Sequence, residues 1–260
     1  MSNFNVLSDK IVNTKTLDFG SIFNRCIELF KKVWLQGLIV LILNGVLVFP
    51  IFLVIYIPMI ALGIMSPGLF DNNHDLSGIE GLGFFLIFVM VVLFLVVFVC
   101  AITVSVAMKA AYFRIVKGKD LMLNQSEDYF FFLKRKYLKK SMVLGLMSAG
   151  IAILAMLLCV LPIFYALIPL SYITVIYALN PDLSANDIVK LSFKLGNRKW
   201  FLTFALVFVA WLLSTVVGFL MCFIGIYVTQ QFINLPFYEV YKQSLGFDET
   251  NEIDQIGAFN

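Results

Sequence analysis

Four stretches of this chain are too long and too apolar for a water-soluble domain. Leu35–Phe70, Leu82–Met108, Met142–Asn180 and Trp200–Tyr238 contain no Asp, Glu, Lys or Arg. A helix crosses a bilayer core with roughly 20 apolar residues, so each run is long enough to span. The whole chain is 61% hydrophobic and 13% charged, against about 45–50% and about 25% in soluble domains. The class that follows is an all-α, polytopic helical membrane protein.

Charge decides where the runs turn, because Lys and Arg accumulate on the cytosolic side. The segment Lys109–Lys140 carries Lys109, Arg114, Lys117, Lys119, Lys134, Arg135, Lys136, Lys139 and Lys140 against Asp120, Glu127 and Asp128. It reads as the inner loop about which the spans are arranged. Between the last two runs lie Lys190, Lys194, Arg198 and Lys199. They return to the same side only if Met142–Asn180 crosses twice, with Pro162 and Pro169 near its bend. The same reasoning makes Trp200–Tyr238 a hairpin that brings Lys242 back. Leu35–Phe70 and Leu82–Met108 supply the other two spans, the first over residues 35–57 and limited by Pro50 and Pro58. The outer loop Ser66–Gly81 holds Asp71, Asp75 and Glu80 and no Lys or Arg. Six spans result, with both termini cytosolic and all 19 Lys and Arg residues inside. The start has no basic-then-apolar leader or cleavage pattern, so an uncleaved, N-inside protein is expected.

Residues 1–16 are polar and read as disordered, and 247–260 as a flexible tail; 17–246 form a single membrane domain. Within it, Leu17–Val33 places Ile22, Phe23, Cys26, Ile27, Leu29, Phe30 and Val33 on one helical arc. Such a basic amphipathic helix before a span is expected to lie in the headgroup plane, with Trp34 as its aromatic anchor. Ser126, Glu127 and Asp128 read as the start of a second interfacial helix running to Lys140. Leu183–Trp200 lays on Leu17–Trp34 without a gap: Ile188 falls on Ile22, Phe193 on Ile27, Leu195 on Leu29 and Trp200 on Trp34. The pattern suggests a threefold internal repeat of helix plus hairpin over residues 17–118, 123–180 and 183–246.

Little here carries reaction chemistry. The apolar runs lack the ionisable residues that mark ion paths and proton relays, so catalytic residues, cofactors and metal ligands are all read as none. Cys26, Cys100, Cys159 and Cys222 are isolated, without the clustering a metal site needs. His74, in Asp71-Asn72-Asn73-His74-Asp75, is better read as part of a solvated acidic loop. Uncharged polar residues in the spans (Asn44, Thr103, Ser105, Ser148, Ser214 among them) read first as interhelical hydrogen bonds, worth about 0.6 kcal/mol each. The densest cluster, Thr229, Gln230, Gln231 and Asn234, is the best candidate for a polar lining. The most specific signal is the basic inner face: Lys31, Lys32, Lys134, Arg135, Lys136, Lys139, Lys140, Lys190, Lys194, Arg198 and Lys199. Each is a candidate contact to anionic lipid, worth on the order of 1 kcal/mol, or to a protein partner. Nucleic acid is not expected, because headgroups compete for these charges.

Asn180–Trp200 (NPDLSANDIVKLSFKLGNRKW) resembles the helix preceding a span in a broad family of bacterial six-span membrane proteins of unknown function. That family includes the membrane domain fused to some glycerophosphodiester phosphodiesterases. Phe19–Trp34 is similar to its N-terminal helix, and Pro236-Phe237-Tyr238-Glu239-Val240-Tyr241 to its closing segment. The resemblance implies a helical bundle in the bacterial inner membrane over about Leu17–Gly246. It does not imply phosphodiesterase activity, since the catalytic barrel has no counterpart. The functional expectation is a non-enzymatic protein that organises lipid, or a membrane-protein partner or second copy, through its basic helices. The alternative is a transporter or flippase for a lipidic or neutral solute.

Overall fold

The computed structural model describes residues 3–65, 80–123, 126–158, 160–221 and 224–247. Among them every regular element is helical. The α-helices are α1 (Asn3–Val12), α2 (Phe19–Met65), α3 (Glu80–Asp120), α4 (Arg135–Leu158), α5 (Val160–Leu179), α6 (Ala185–Arg198), α7 (Trp200–Leu220), α8 (Ile224–Thr229) and α9 (Leu235–Leu245). Short 3-10 turns cover Phe131–Leu133 and Gln230–Asn234. Five segments are long and apolar enough to cross a membrane: Phe19–Val54, Phe88–Asp120, Arg135–Leu158, Pro162–Leu179 and Trp200–Leu220.

The long helices pair as antiparallel hairpins. In the first, Tyr112 approaches Gly37 and the Ser105 hydroxyl lies 3.5 Å from Asn44 Oδ1. In the second, Ser141 Oγ and Tyr177 OH are 3.0 Å apart, and Lys140 Nζ donates to the carbonyls of Pro181 and Leu183 at 2.6 Å each. In the third, α7 pairs with the α8 limb. Ser214 Oγ donates to the Thr229 carbonyl and Thr229 Oγ1 to the Ser214 carbonyl, both at 3.0 Å. A Cβ on Gly218 would lie 2.8 Å from Ile226 backbone atoms, so glycine permits this approach. On α4, a Cβ on Gly145 would meet Ile102 of α3 at 2.5 Å, so glycine permits close packing there as well.

Burial divides each hairpin lengthwise. Toward the tips, Val46, Phe49, Phe88, Phe94, Leu154, Leu157, Phe219 and Leu220 are exposed apolar side chains. Toward the bases, residues from all three hairpins enter one core with Ile22, Val33, Tyr112, Phe113, Leu144, Tyr172, Tyr177 and Leu206. The strut of this core is α9, whose Leu235–Tyr241 stretch is wholly buried. Its partners come from several helices. Tyr238 OH and Lys242 Nζ both reach Asp120 Oδ2 of α3, at 2.8 and 2.5 Å. Tyr241 OH meets Asn180 Nδ2 at 2.5 Å, and Phe237 packs edge-on against Tyr172.

Several sequence expectations need correction. Within the stretch read as polar and disordered, Asn3–Val12 form α1, which buries Leu7 and Ile11, four residues apart on one face. Thr14 Oγ1 then donates to the Ser244 carbonyl at 3.2 Å. The first amphipathic segment is no separate interfacial helix. It is continuous with its span in a 47-residue helix, about 70 Å long, and Pro50 and Pro58 do not end it. Its apolar arc meets protein: Ile22, Cys26, Leu29 and Val33 are buried, and Phe23 and Phe30 pack edge-on against Phe232. The second interfacial helix is absent. Asp128 Oδ1 accepts from Phe130 N and its Oδ2 from Lys134 Nζ, which holds a turn before α4, and Lys136–Lys140 form the opening of that span. In contrast α6 is a discrete helix, capped by Ser184 Oγ accepting from Asp187 N at 3.2 Å. Its buried Ile188, Leu191, Ser192 and Leu195 face protein, and Gly196 sits against Pro169. His74, most of the acidic loop, Cys159, Cys222 and nearly all of the C-terminal tail lie outside the described residues.

Candidate functional site

The basic residues separate into two groups. Lys140, Lys194 and Lys199 hold the fold. Lys140 closes the α5–α6 turn, as above. Lys194 Nζ donates to Ser8 Oγ of α1, and Lys199 Nζ donates to the Lys15 carbonyl at 2.8 Å. Lys31, Lys32, Lys134, Arg135, Lys136, Lys139, Lys190 and Arg198 are exposed. Of these, Lys134 pairs with Asp128 at 2.5 Å. The exposed set forms a cationic rim on the α2, α4 and α6 segments near the hairpin bases. The two tryptophans differ as well. Trp34 is 42% exposed. Trp200 Nε1 donates to the Tyr165 carbonyl at 3.1 Å and its ring stacks on Phe204.

Beside the rim, the end of α3 is clamped. Glu127 accepts from Gln36 Nε2 at 3.1 Å and from Tyr129 OH at 2.7 Å, and pairs with Lys119 Nζ at 2.6 Å. The Lys119 ammonium holds the Glu127 carboxyl below its ordinary range, with Tyr129 and Gln36 adding to the effect. Burial, with Glu127 beside it, pushes the Tyr129 phenol up.

The expected polar lining is partly assembled. Gln230, Gln231 and Asn234 line a cleft of about 330 Å³ whose opposite wall is α2 and α3. That wall adds Asn44, Ser105 and Lys109, over a floor that includes Val40, Leu41 and Met108. Thr229 is not among them. Its hydroxyl is turned into the third hairpin, and its side chain lines a separate apolar cavity of about 150 Å³ with Ile27, Phe30 and Phe232. Inside the cleft, Asn234 Nδ2 donates to Gln231 Oε1 at 2.9 Å.

Lys109 is the residue whose surroundings the sequence leaves open. It is the first charge of the basic segment, the span continues through it as one helix, and within α3 it is half-buried. The pairing of Tyr112 with Gly37 and of Ser105 with Asn44 puts Lys109 level with Val40. That position is about 9 Å along α2 from Trp34, at 1.5 Å per residue. Among the described residues no carboxylate pairs with Lys109. The signal available in the sequence was Asn44 and Ser105, two polar residues in facing apolar runs. Among the described residues no His, Cys, Asp or Glu group is arranged to hold a metal ion.

Comparison with protein-family models, curated proteins and solved structures returned no match, so the functional argument rests on this chain's own residues.

Proposed function

We propose that this chain is a non-enzymatic, six-span inner-membrane protein that gathers anionic lipid around its cationic rim. The observation that carries the reading is adjacency. Exposed Lys and Arg at the hairpin bases abut surfaces with exposed apolar side chains, the order of charge and grease that a leaflet presents. The α8 limb and α9, running through Gln230–Asn234, would return from α7 as the sixth span. The rim would face the cytosol. Placement in an inner membrane, with the rim inside, is supported by the gathering of Lys and Arg on the segments read as cytosolic. A true repeat is supported by matched burial: Ile22 with Ile188, Cys26 with Ser192, and Leu29 with Leu195 are buried in both copies.

The test is lipid retention after gentle extraction. Replacing Lys31, Lys32, Arg135, Lys136, Lys139, Lys190 and Arg198 with Gln should shift the co-purifying lipid from anionic toward the bulk composition. At on the order of 1 kcal/mol per cation, removing several is a large effect. Unchanged lipid and unchanged partner recovery would sink the reading.

The cleft favours a second reading, movement of a lipidic solute between leaflets. Fluorescent-lipid scrambling in proteoliposomes addresses it, and a rate equal to that of empty vesicles would dismiss it.

A further inference from the structure

We infer that the cleft between α2, α3 and the Gln230–Asn234 turn is a binding site for a phosphate-type anionic group, with Lys109 as its counter-charge. The inference rests on the membrane placement proposed above, and not on the rim holding lipid.

Charge is the first argument. A lysine half-withdrawn from water is commonly matched by a carboxylate, because a partly buried charge left alone is costly. Lys109 has none among the described residues, and the cleft lining contains no acid. The same cleft walls carry amides instead. Asn44 Nδ2 and Gln230 Nε2 carry no hydrogen bond to the described residues, while Gln231 and Asn234 are tied to each other. An ammonium with unbonded amide donors on the same walls matches the acceptor-rich surface of a phosphate. A neutral solute would leave the lysine without a counter-charge, so the solute class proposed from sequence is narrowed to an anion.

Size and surroundings give the second argument. At about 330 Å³ the cleft is at the small end of ligand sites. It accommodates a glycerophosphate-sized group and not a whole lipid. On α2 the flanking Ile42 and Val46 are 55% and 62% exposed. Acyl chains would therefore lie along an apolar helix face while the phosphate enters the cleft. A soluble phosphate monoester offers the same anionic chemistry without the chains.

The experiment uses the full-length protein in a neutral detergent, with native mass spectrometry as the readout. It is titrated in parallel with phosphatidylglycerol, phosphatidylcholine and glycerol 3-phosphate. The expected result is one tightly held anionic ligand per chain. Lys109→Gln should weaken it roughly tenfold, the scale of one lost charge-assisted contact. Lys109→Arg should keep it, while the combined rim variant Lys31→Gln, Lys32→Gln, Arg135→Gln, Lys136→Gln should lose only the weaker additional lipid adducts and retain this single ligand. If Lys109→Gln proved unstable, Asn44→Leu and Gln230→Leu should each weaken the same ligand severalfold. Lys109-dependent binding of phosphatidylglycerol alone assigns the anion to lipid, and of glycerol 3-phosphate as well assigns it to a soluble source. Equal binding of phosphatidylcholine would overturn the inference. So would affinity unchanged by Lys109→Gln, or affinity lost in the rim variant.

Discussion

At the scale of single residues, the side chains that organise the base of the molecule are polar groups removed from water and satisfied by specific partners. Asp120 is the clearest case. Its side chain is 13% exposed and meets Lys242, itself 21% exposed, at 2.5 Å, while Tyr238 donates to the same oxygen. Removing one member of a largely buried pair costs about 3 kcal/mol, because the other charge is left uncompensated. Asp120→Ala should therefore lower the thermal unfolding midpoint in detergent clearly, and Asp120→Asn by less, since an amide still accepts from Tyr238. Glu127 gives a pH-dependent contribution. Its folded-state carboxyl titrates below the ordinary value of about 4.3. The stability it contributes is thus complete above that value and is lost as pH falls through the depressed one. Thermal unfolding followed from pH 6 downward should show this loss in the wild type and a flatter profile in Glu127→Gln. The effect is modest, because Lys119 and Glu127 are both partly exposed and solvent screens them. Lys109 lies at the opposite limit of legibility. Its charge is plain in the sequence, but its environment depends on the register of α2 against α3, which no local pattern encodes.

At the scale of elements, periodicity was informative where a helix has two unlike faces. For α6, Ser184, Asp187 and the spacing of Ile188, Leu191 and Leu195 are enough to place both start and buried face. The apolar arc of Leu17–Val33 was also legible, but its partner was not. An apolar arc is the same whether lipid or protein covers it, and here Phe232 of the last limb packs against Phe23 and Phe30. The polar start of the chain hid α1 because Leu7 and Ile11 are its only fully buried apolar side chains. The close approaches between hairpin limbs yield a direct prediction. In Gly218→Val the new side chain must displace the backbone at Ile226, which a Cβ alone already meets at 2.8 Å. Overpacking of this kind costs typically 1–3 kcal/mol. Gly150→Val is the control, since nothing lies within 4 Å of a Cβ there. The first variant should unfold at a clearly lower temperature, and the control close to the wild type.

At the scale of the whole molecule, the distribution of charge determined how the apolar runs were divided, and Met142–Asn180 does hold two helices, α4 and α5, each long and apolar enough to cross, whereas Trp200–Tyr238 holds one such helix, α7, followed by the short α8. Positive bias acts on whole loops and does not require knowing what each lysine touches. For the same reason it is silent about the common core at the hairpin bases, which depends on aromatic packing among Tyr112, Tyr172, Tyr177 and Phe237. In the proposed topology this packed, cation-rimmed end faces the cytosol while the hairpin tips reach the other side. Cysteine accessibility tests it most directly. In a background with Cys26, Cys100, Cys159 and Cys222 replaced, single cysteines at Arg135, Asn186 and Lys31 report the bases, and those at Leu158 and Met221 report the tips. With a membrane-impermeant maleimide, the base positions should react only in inverted vesicles and the tip positions only in intact right-side-out ones. Reaction of any base position from the outside, or of Met221 from the cytosolic face, would contradict it.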